Sequence, residues 1–375
     1  MYTRTIEHRL KSIAFSGKAI LLLWPRQVGK TTLIKKLIEW IPASDYLFFS
    51  GDYSGDRRSL WFENSIQMER IVGNARWILI DEGQKIPDIG NIVKAIVDRY
   101  GKEKQVIVTG SSSIGLLDYV SEPLTGRKRV FHLFPIAFSE SVQDVGLLAT
   151  EKQIEDFLLY GMYPDILSMS SEHQKIQGLQ EIVSGQLYRD ILEFQQVKNS
   201  DVIVRLLELL ALQIGSEVSY HKLAQILGVS QNTVERYVDL LEKSFIVFRL
   251  RPYVTNKKKE VTKMKKIYFY DLGIRNSLLR AFSPLSLRQD VWALFENFFI
   301  AERQKKIAYE EILTQWYFWR TNNQEEVDYL EASDRLDRAF ECKWSKQTYQ
   351  PPKAFLTAYT IMPTLIHREN ISEFL

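Results

Sequence analysis

The chain has 375 residues, 45% of them hydrophobic and 25% charged, a globular composition with room for two or three domains that excludes a disordered protein. A net charge of +3 is too small to imply a polyanion partner, so any nucleic-acid contact must come from local clusters. A single cysteine, Cys342, excludes an intramolecular disulfide framework and fits a reducing, cytoplasmic setting, and no apolar run approaches the roughly 18 residues of a membrane-spanning helix.

The first half is organised around residues 20–38. An apolar run from Ile20 to Leu23 ends in a polar loop, and Leu33, Ile34, Leu37 and Ile38 then repeat at helical spacing. Strand, loop and helix in this order suit a phosphate chain, because loop N–H groups and the helix N-terminus face the anion. Pro25, Arg26, Gln27, Val28, Gly29, Lys30, Thr31 and Thr32 form the expected cradle, with Lys30 on the terminal phosphates and the Thr31 hydroxyl on Mg²⁺. Trp24 stands where the motif asks for glycine, so the indole is expected to displace the loop or point outward.

Tyr46–Phe49 reads as a second strand, and the apolar strand Trp77–Ile80 ends in Asp81-Glu82. Carboxylates at that edge of a parallel sheet sit where its ligands bind; Asp81 is expected in the Mg²⁺ shell and Glu82 to orient the attacking water. The strand Gln105–Thr109 ends in Gly110-Ser111, which makes Ser111 a candidate phosphate contact, and Arg127 is a candidate charge sensor.

The segments PRQVGKTT, ILIDEGQKIPD, VIVTGSSS, LTGR and FHLFPIAFSE, in this order, resemble the prokaryotic AAA-type P-loop ATPases that carry a C-terminal domain of uncharacterised function. The resemblance implies an α/β multidomain protein that binds ATP and Mg²⁺. Its expected parts are an AAA-type P-loop domain over residues 1–148, a helical lid over 149–200, a winged helix over 201–270 and a small α/β nuclease-like domain over 271–375.

The residues of the second half carry their own pattern. Val202–Ile214, Tyr220–Leu227 and Gln231–Lys243 read as helices, the last two forming a helix-turn-helix around Gly228-Val229-Ser230. The second helix of that pair has a core face of Val234, Tyr237, Val238 and Leu241 and an acidic outer face, a poor phosphate surface. The hairpin that follows concentrates Lys257, Lys258, Lys259, Lys263, Lys265 and Lys266, which makes the wing the expected DNA contact.

Residues 290–306 read as a buried helix containing Glu296, a carboxylate that needs a metal, a lysine or a donor network. In the next hairpin a turn centred between Asp334 and Arg335 places Asp328 across from Glu341, with Glu341 and Lys343 on one face. Opposed carboxylates invite a divalent cation, Mg²⁺ or Mn²⁺, with Lys343 beside the attacking water. Glu296, Asp328, Glu341 and Lys343 resemble the PD-(D/E)xK nuclease core. The functional expectation is an ATP-hydrolysing protein whose nucleotide state controls DNA contact and a nuclease-like site. The alternative is a nucleotide-sensing or DNA- or protein-binding switch with a structural C-terminal cluster. Nothing in the sequence decides the oligomeric state.

Overall fold

The computed structural model describes residues 2–25, 27–110, 122–187, 200–254, 264–346 and 348–375. It divides into two compact units, Thr3–Phe134 and Pro135–Leu375, the latter together with Met1–Tyr2. The expected contacts of Arg26, Ser111, Lys257, Lys258, Lys259 and Lys263 lie outside the described residues.

In the first unit β1 (Ala19–Leu23), β2 (Tyr46–Ser50), β3 (Trp77–Asp81), β4 (Gln105–Gly110) and β5 (Lys128–His132) form a sheet of order β2-β3-β4-β1-β5. Every pairing is parallel. All five residues of β1 and all six of β4 are buried, which is why these strands read as unbroken apolar runs instead of alternating. Because β4 lies between β1 and β3, the loop after β1 and the carboxylates ending β3 face the same sheet edge across the end of β4.

The second unit begins with short helices, Phe138–Val145, Leu147–Lys152, Ile154–Tyr160, Pro164–Ser168 and Glu172–Glu181, the last passing into a π-type segment, Ile182–Leu187. Next come the helix Ser200–Leu212, β6 (Glu217–Val218), the helices Tyr220–Leu227 and Gln231–Lys243, and the antiparallel pair β7 (Val247–Pro252) and β8 (Lys265–Phe269). Ser219 and Ser230 cap the two middle helices, each accepting from a backbone N–H three residues on. Val234, Tyr237, Val238 and Leu241 are buried, as their helical spacing requires.

β9 (Gln315–Arg320), β10 (Glu326–Ala332), β11 (Leu336–Cys342) and β12 (Thr364–Ile366) continue the same sheet, whose full order is β12-β11-β10-β9-β7-β8-β6. The long helix Val291–Glu310 packs on β8 and β11. Asn297 ties it to β8, donating to the Phe269 carbonyl and accepting from the Phe269 N–H, both at 2.8 Å. Fourteen of its twenty residues are buried, charged ones included, so each buried charge has a partner: Arg303 grips Glu331, and Lys305 meets Glu302 at 2.6 Å.

Candidate functional site

Two clusters of charged groups stand out among the described residues, one in each unit.

At the carboxyl edge of the first sheet, Gly29 adopts the left-handed conformation (φ 91°) and Lys30 opens the helix Lys30–Glu39. That φ favours a residue without Cβ, so the chain can turn sharply from loop into helix. Arg4, buried, braces the loop by donating to the Val28 carbonyl at 2.7 Å and the Phe134 carbonyl at 2.6 Å. The Lys30 ammonium lies 3.0 Å from Asp81 Oδ1 and bonds Glu82 Oε1. Thr109, at the end of β4, donates its hydroxyl to Asp81 and accepts from the Glu82 N–H at 3.2 Å. Glu82 sits at φ 50° and ψ 47°, and Gln84 donates to its second oxygen at 2.7 Å. Gly51 makes room for this turn, since a Cβ there would lie 2.2 Å from the Glu82 carbonyl oxygen.

Pro25 and Val28 are buried, Gln27 and Thr31 exposed, and Thr32 half-buried. Of the two expected accommodations of Trp24, pointing outward is excluded: the indole is 1% exposed and presents its ring to the Lys30 ammonium at 5.6 Å. Attraction between the cation and the ring's negative face gives the indole a role at the site that glycine does not have. Arg127 is a correction. Its carbonyl accepts from Ala19 at the start of β1, and its guanidinium pairs with Asp98, so it lies at the opposite edge of the sheet. Five strand residues, roughly 17 Å, separate that edge from the loop, too far for its side chain to sense phosphate in this unit.

Thr109 is the site residue that sequence reading passed over in favour of Ser111; its place as the last polar residue before Gly110 was the available signal. Replacing it with valine leaves the Glu82 N–H without its acceptor, and urea denaturation is expected to show a loss of about 1–3 kcal/mol. A loss below about 0.3 kcal/mol would mean that the hydroxyl is dispensable.

In the second unit the hairpin pairs Tyr329 with Phe340 and Leu330 with Ala339, and continuing that register sets Asp328 opposite Glu341. Asp328 Oδ2 accepts from the Cys342 N–H at 2.8 Å, and Lys343 pairs with Glu341 Oε1 at 2.7 Å. Oxygens of Glu296, Glu326 and Asp328 lie within 4.8 Å of one another. Burial, then the charges of Glu296 and Glu341, push the Asp328 carboxyl well above the usual range, and burial raises Glu341 as well. The Tyr349 hydroxyl lies beside the Glu341 carboxylate, while Cys342 is buried in the core as its side of the strand requires.

Lys266 is the second correction. Expected on a DNA-facing wing, it is 2% exposed and turned inward, 3.0 Å from Glu296 Oε1 and bonded to Glu326 Oε1. Burial alone would lower its pKa, but Glu296 and the neighbouring acids outweigh that and raise it. Lys265, its neighbour on β8, is half-buried. Glu326 and Lys266 escaped the sequence reading because nothing local to either residue signals the other.

Residues 16–142 match the model of an AAA domain, and residues 151–285 and 293–371 match two models described only as domains of unknown function. An uncharacterized protein of Mycobacterium tuberculosis is 28% identical over 330 residues, spanning 87% of this chain and 70% of the relative. One of Methanocaldococcus jannaschii is 23% identical over 329 residues, spanning 81% and 70%. A Walker-type ATPase of Pyrococcus abyssi superposes with a TM-score of 0.50 at 14% identity, covering 74% of this chain and 96% of its own. The parallel sheet and its loop thus have the fold of a P-loop ATPase. Among the described residues no helix is long and apolar enough to cross a membrane.

Proposed function

We propose that this protein binds and hydrolyses ATP with Mg²⁺, and that its nucleotide state controls a DNA-contacting winged helix and a nuclease-like site in the second unit. The observation that carries the first part is the Lys30 ammonium held at the carboxyl edge of a parallel sheet by Asp81 and Glu82. These residues fit the cofactor: a hydroxyl at Thr31 and a carboxylate at Asp81 are the hard oxygen donors that magnesium takes. When bound, Mg²⁺ would neutralise charge on the phosphates. Lys30 would exchange its two carboxylates for phosphate oxygens, releasing Glu82 to accept a proton from, or orient, a water.

The second part rests on Glu296, Asp328, Glu341 and Lys343. Glu296 and Asp328, together with Glu326, bring oxygens within 4.8 Å of one another, a spacing that suits a divalent cation, and Glu341 stands across the hairpin from Asp328. Lys343 would balance negative charge developing at a phosphodiester. The winged-helix reading draws on the helices Tyr220–Leu227 and Gln231–Lys243 and the paired strands β7 and β8, with DNA contact left to Lys265 and to Lys257, Lys258, Lys259 and Lys263, which lie outside the described residues.

A second reading, a switch without turnover whose C-terminal cluster is structural, is favoured by Lys266, which already neutralises that cluster. Phosphate release separates the two. Wild type is expected to release phosphate with Mg²⁺ and ATP, Lys30→Ala to fall to background, and equal background rates would leave the switch. Mg²⁺- or Mn²⁺-dependent nicking of plasmid DNA is expected to vanish in Asp328→Ala; cutting that persists would refute the nuclease reading.

A further inference from the structure

We propose that the cleft where β7 and β9 part takes one nucleotide unit, its base against Trp316 and Gln304 and its phosphate on Arg251 and Lys265. The inference rests on the DNA-contacting reading of the winged helix and adds to it a pocket for a single unpaired base.

β7 and β9 run parallel and pair at Arg251–Tyr317 and Pro252–Phe318. Before those pairs the two strands diverge. The Tyr253 N–H donates to the Phe318 carbonyl at 2.6 Å, whereas the Arg249 N–H, on the same side of the chain by the period of two, donates to Glu242 Oε1 at 2.9 Å instead. The opening is a cavity of about 350 Å³, at the small end for a ligand site, which suits one base and its sugar but not a duplex. Its aromatic wall includes Phe248 from β7 and the half-buried Trp316 from β9, and any base offers a π-face to such rings. A separate feature points to a ligand. Gln304, on the helix Val291–Glu310, lines the same cavity and is 5% exposed, and its Nε2 is buried without a hydrogen-bond partner among the described residues. A buried amide donor left unpaired is unfavourable, and the edge of a base carries the ring-nitrogen and carbonyl acceptors that it lacks.

The charge beside this wall is positive. Arg249 and Arg251 are two apart on β7, and continuing the register that pairs Leu250 with Lys266 sets Arg251 opposite Lys265 on the same face. Like charges facing each other across a strand pair repel. Burial, then the charges of Arg249 and Arg251, hold the Lys265 ammonium below its usual pKa, with Glu235 and Asp239 acting the other way. The nearest acids are committed to Arg249: Glu242 accepts from its backbone N–H and, at 2.7 Å, from its Nε, and Asp239 pairs with it at 2.6 Å. Arg251 and Lys265 therefore form a cationic edge fit for one phosphate. Alternation along β9 puts Tyr317, the partner of Arg251, on this face and Trp316 on the other, the face that the helix carrying Gln304 covers. A nucleotide entering from the positive face thus presents its base to Trp316 and Gln304 through the split between the strands.

The test uses the full chain carrying Lys30→Ala, so that the loop of the first unit contributes no phosphate binding. Its probes are a fluorescein-labelled strand of about 12 deoxythymidines and an abasic strand of equal length and charge, both read by anisotropy. Trp316→Ala is expected to weaken binding of the thymidine strand roughly tenfold and to leave the abasic strand within about twofold, because stacking needs a base. Gln304→Met keeps the shape without the donor and is expected to weaken the thymidine strand alone, by roughly fivefold. Arg251→Gln is expected to weaken both strands alike and to flatten the salt dependence by about 0.7 of a logarithmic unit. Competition with dTMP separates the two sources of a nucleotide unit: displacement of the strand by dTMP makes a free nucleotide the occupant, and resistance to dTMP makes it a nucleotide within a strand. Equal affinity of the parent chain for the thymidine and abasic strands would overturn the proposal, as would Trp316→Ala and Gln304→Met variants that bind like the parent. Should Trp316→Ala fail to fold, Gln304→Met decides by the same comparison. Salt-dependent duplex binding alongside equal affinity for the two strands would remove the cleft and leave the winged-helix reading standing. Binding of dTMP that Gln304→Met weakens, with no affinity for strand or duplex, would keep the cleft and remove the DNA reading.

Discussion

Glu82→Gln is expected to slow ATP turnover by roughly 10²–10⁴-fold, the range over which a positioned general base acts. The carboxylate is held at φ 50° by the Thr109 hydroxyl, by Gln84 and by Lys30, so its geometry is prepared before any ligand arrives. Glutamine keeps that shape and the backbone N–H bond to the Thr109 hydroxyl, yet it does not take a proton and holds the Lys30 ammonium only through a neutral carbonyl. The variant's nucleotide affinity is therefore expected to hold or tighten, because Lys30 leaves that carbonyl for a phosphate more readily than it leaves the Glu82 carboxylate. Phosphate release and titration with a fluorescent nucleotide measure the two quantities separately. A turnover within threefold of wild type would remove Glu82 from the chemistry, and a parallel loss of affinity would make it part of the binding site instead.

Arg303→Leu is expected to destabilise the second unit by about 3–5 kcal/mol, the cost of stranding a buried charge. Arg303 donates in parallel to both oxygens of Glu331 at 2.8 Å and to the Phe374 carbonyl at 2.6 Å. It is 1% exposed, and Glu331 is 3% exposed. Removing the guanidinium leaves Glu331 buried without its countercharge, with only the Tyr329 hydroxyl beside it, and removes one tie of the C-terminal tail to the helix Val291–Glu310, leaving the one from Lys306 to the Leu375 carbonyl. The double variant Arg303→Leu/Glu331→Leu is expected to regain most of the loss, since a desolvated pair contributes little net stability beyond an apolar one. Urea denaturation of the three proteins decides it, and a single-variant loss under 1 kcal/mol would show that solvent reaches Glu331 after all.

Both acidic centres hold a lysine between their carboxylates. Lys30 bridges Asp81 and Glu82, and Lys266 bridges Glu296 and Glu326. Like-charged carboxylates grouped at a poorly solvated site need such a countercharge in the absence of ligand. The two lysines differ in exposure: the Lys30 side chain is 18% exposed and opens its helix at the sheet edge, whereas that of Lys266 is 2% exposed and lies on a strand bound to its neighbours.

Several features were legible from the chain alone because covalent spacing decides them. Strand, loop and helix around Gly29 and Lys30 follow from an apolar run that stops at a turn and resumes at helical spacing. Asp328 stands across from Glu341 because a hairpin is symmetric about its turn, and the bulge at Ala332 falls on the turn side of that pair. Glu296 announced a buried partner through the apolar residues on either side of it. Tertiary structure alone decided which partner that was, since Lys266 lies 30 residues away and shows in sequence only as one more lysine in a basic hairpin. It also buried the Trp24 indole beside Lys30, placed Thr109 between two strands that are not neighbours in the chain, and carried Arg127 to the far edge of the sheet. Periodicity tells which face of an element a residue occupies, but burial and countercharge depend on what other elements bring to that face, and that is set only when the sheets assemble.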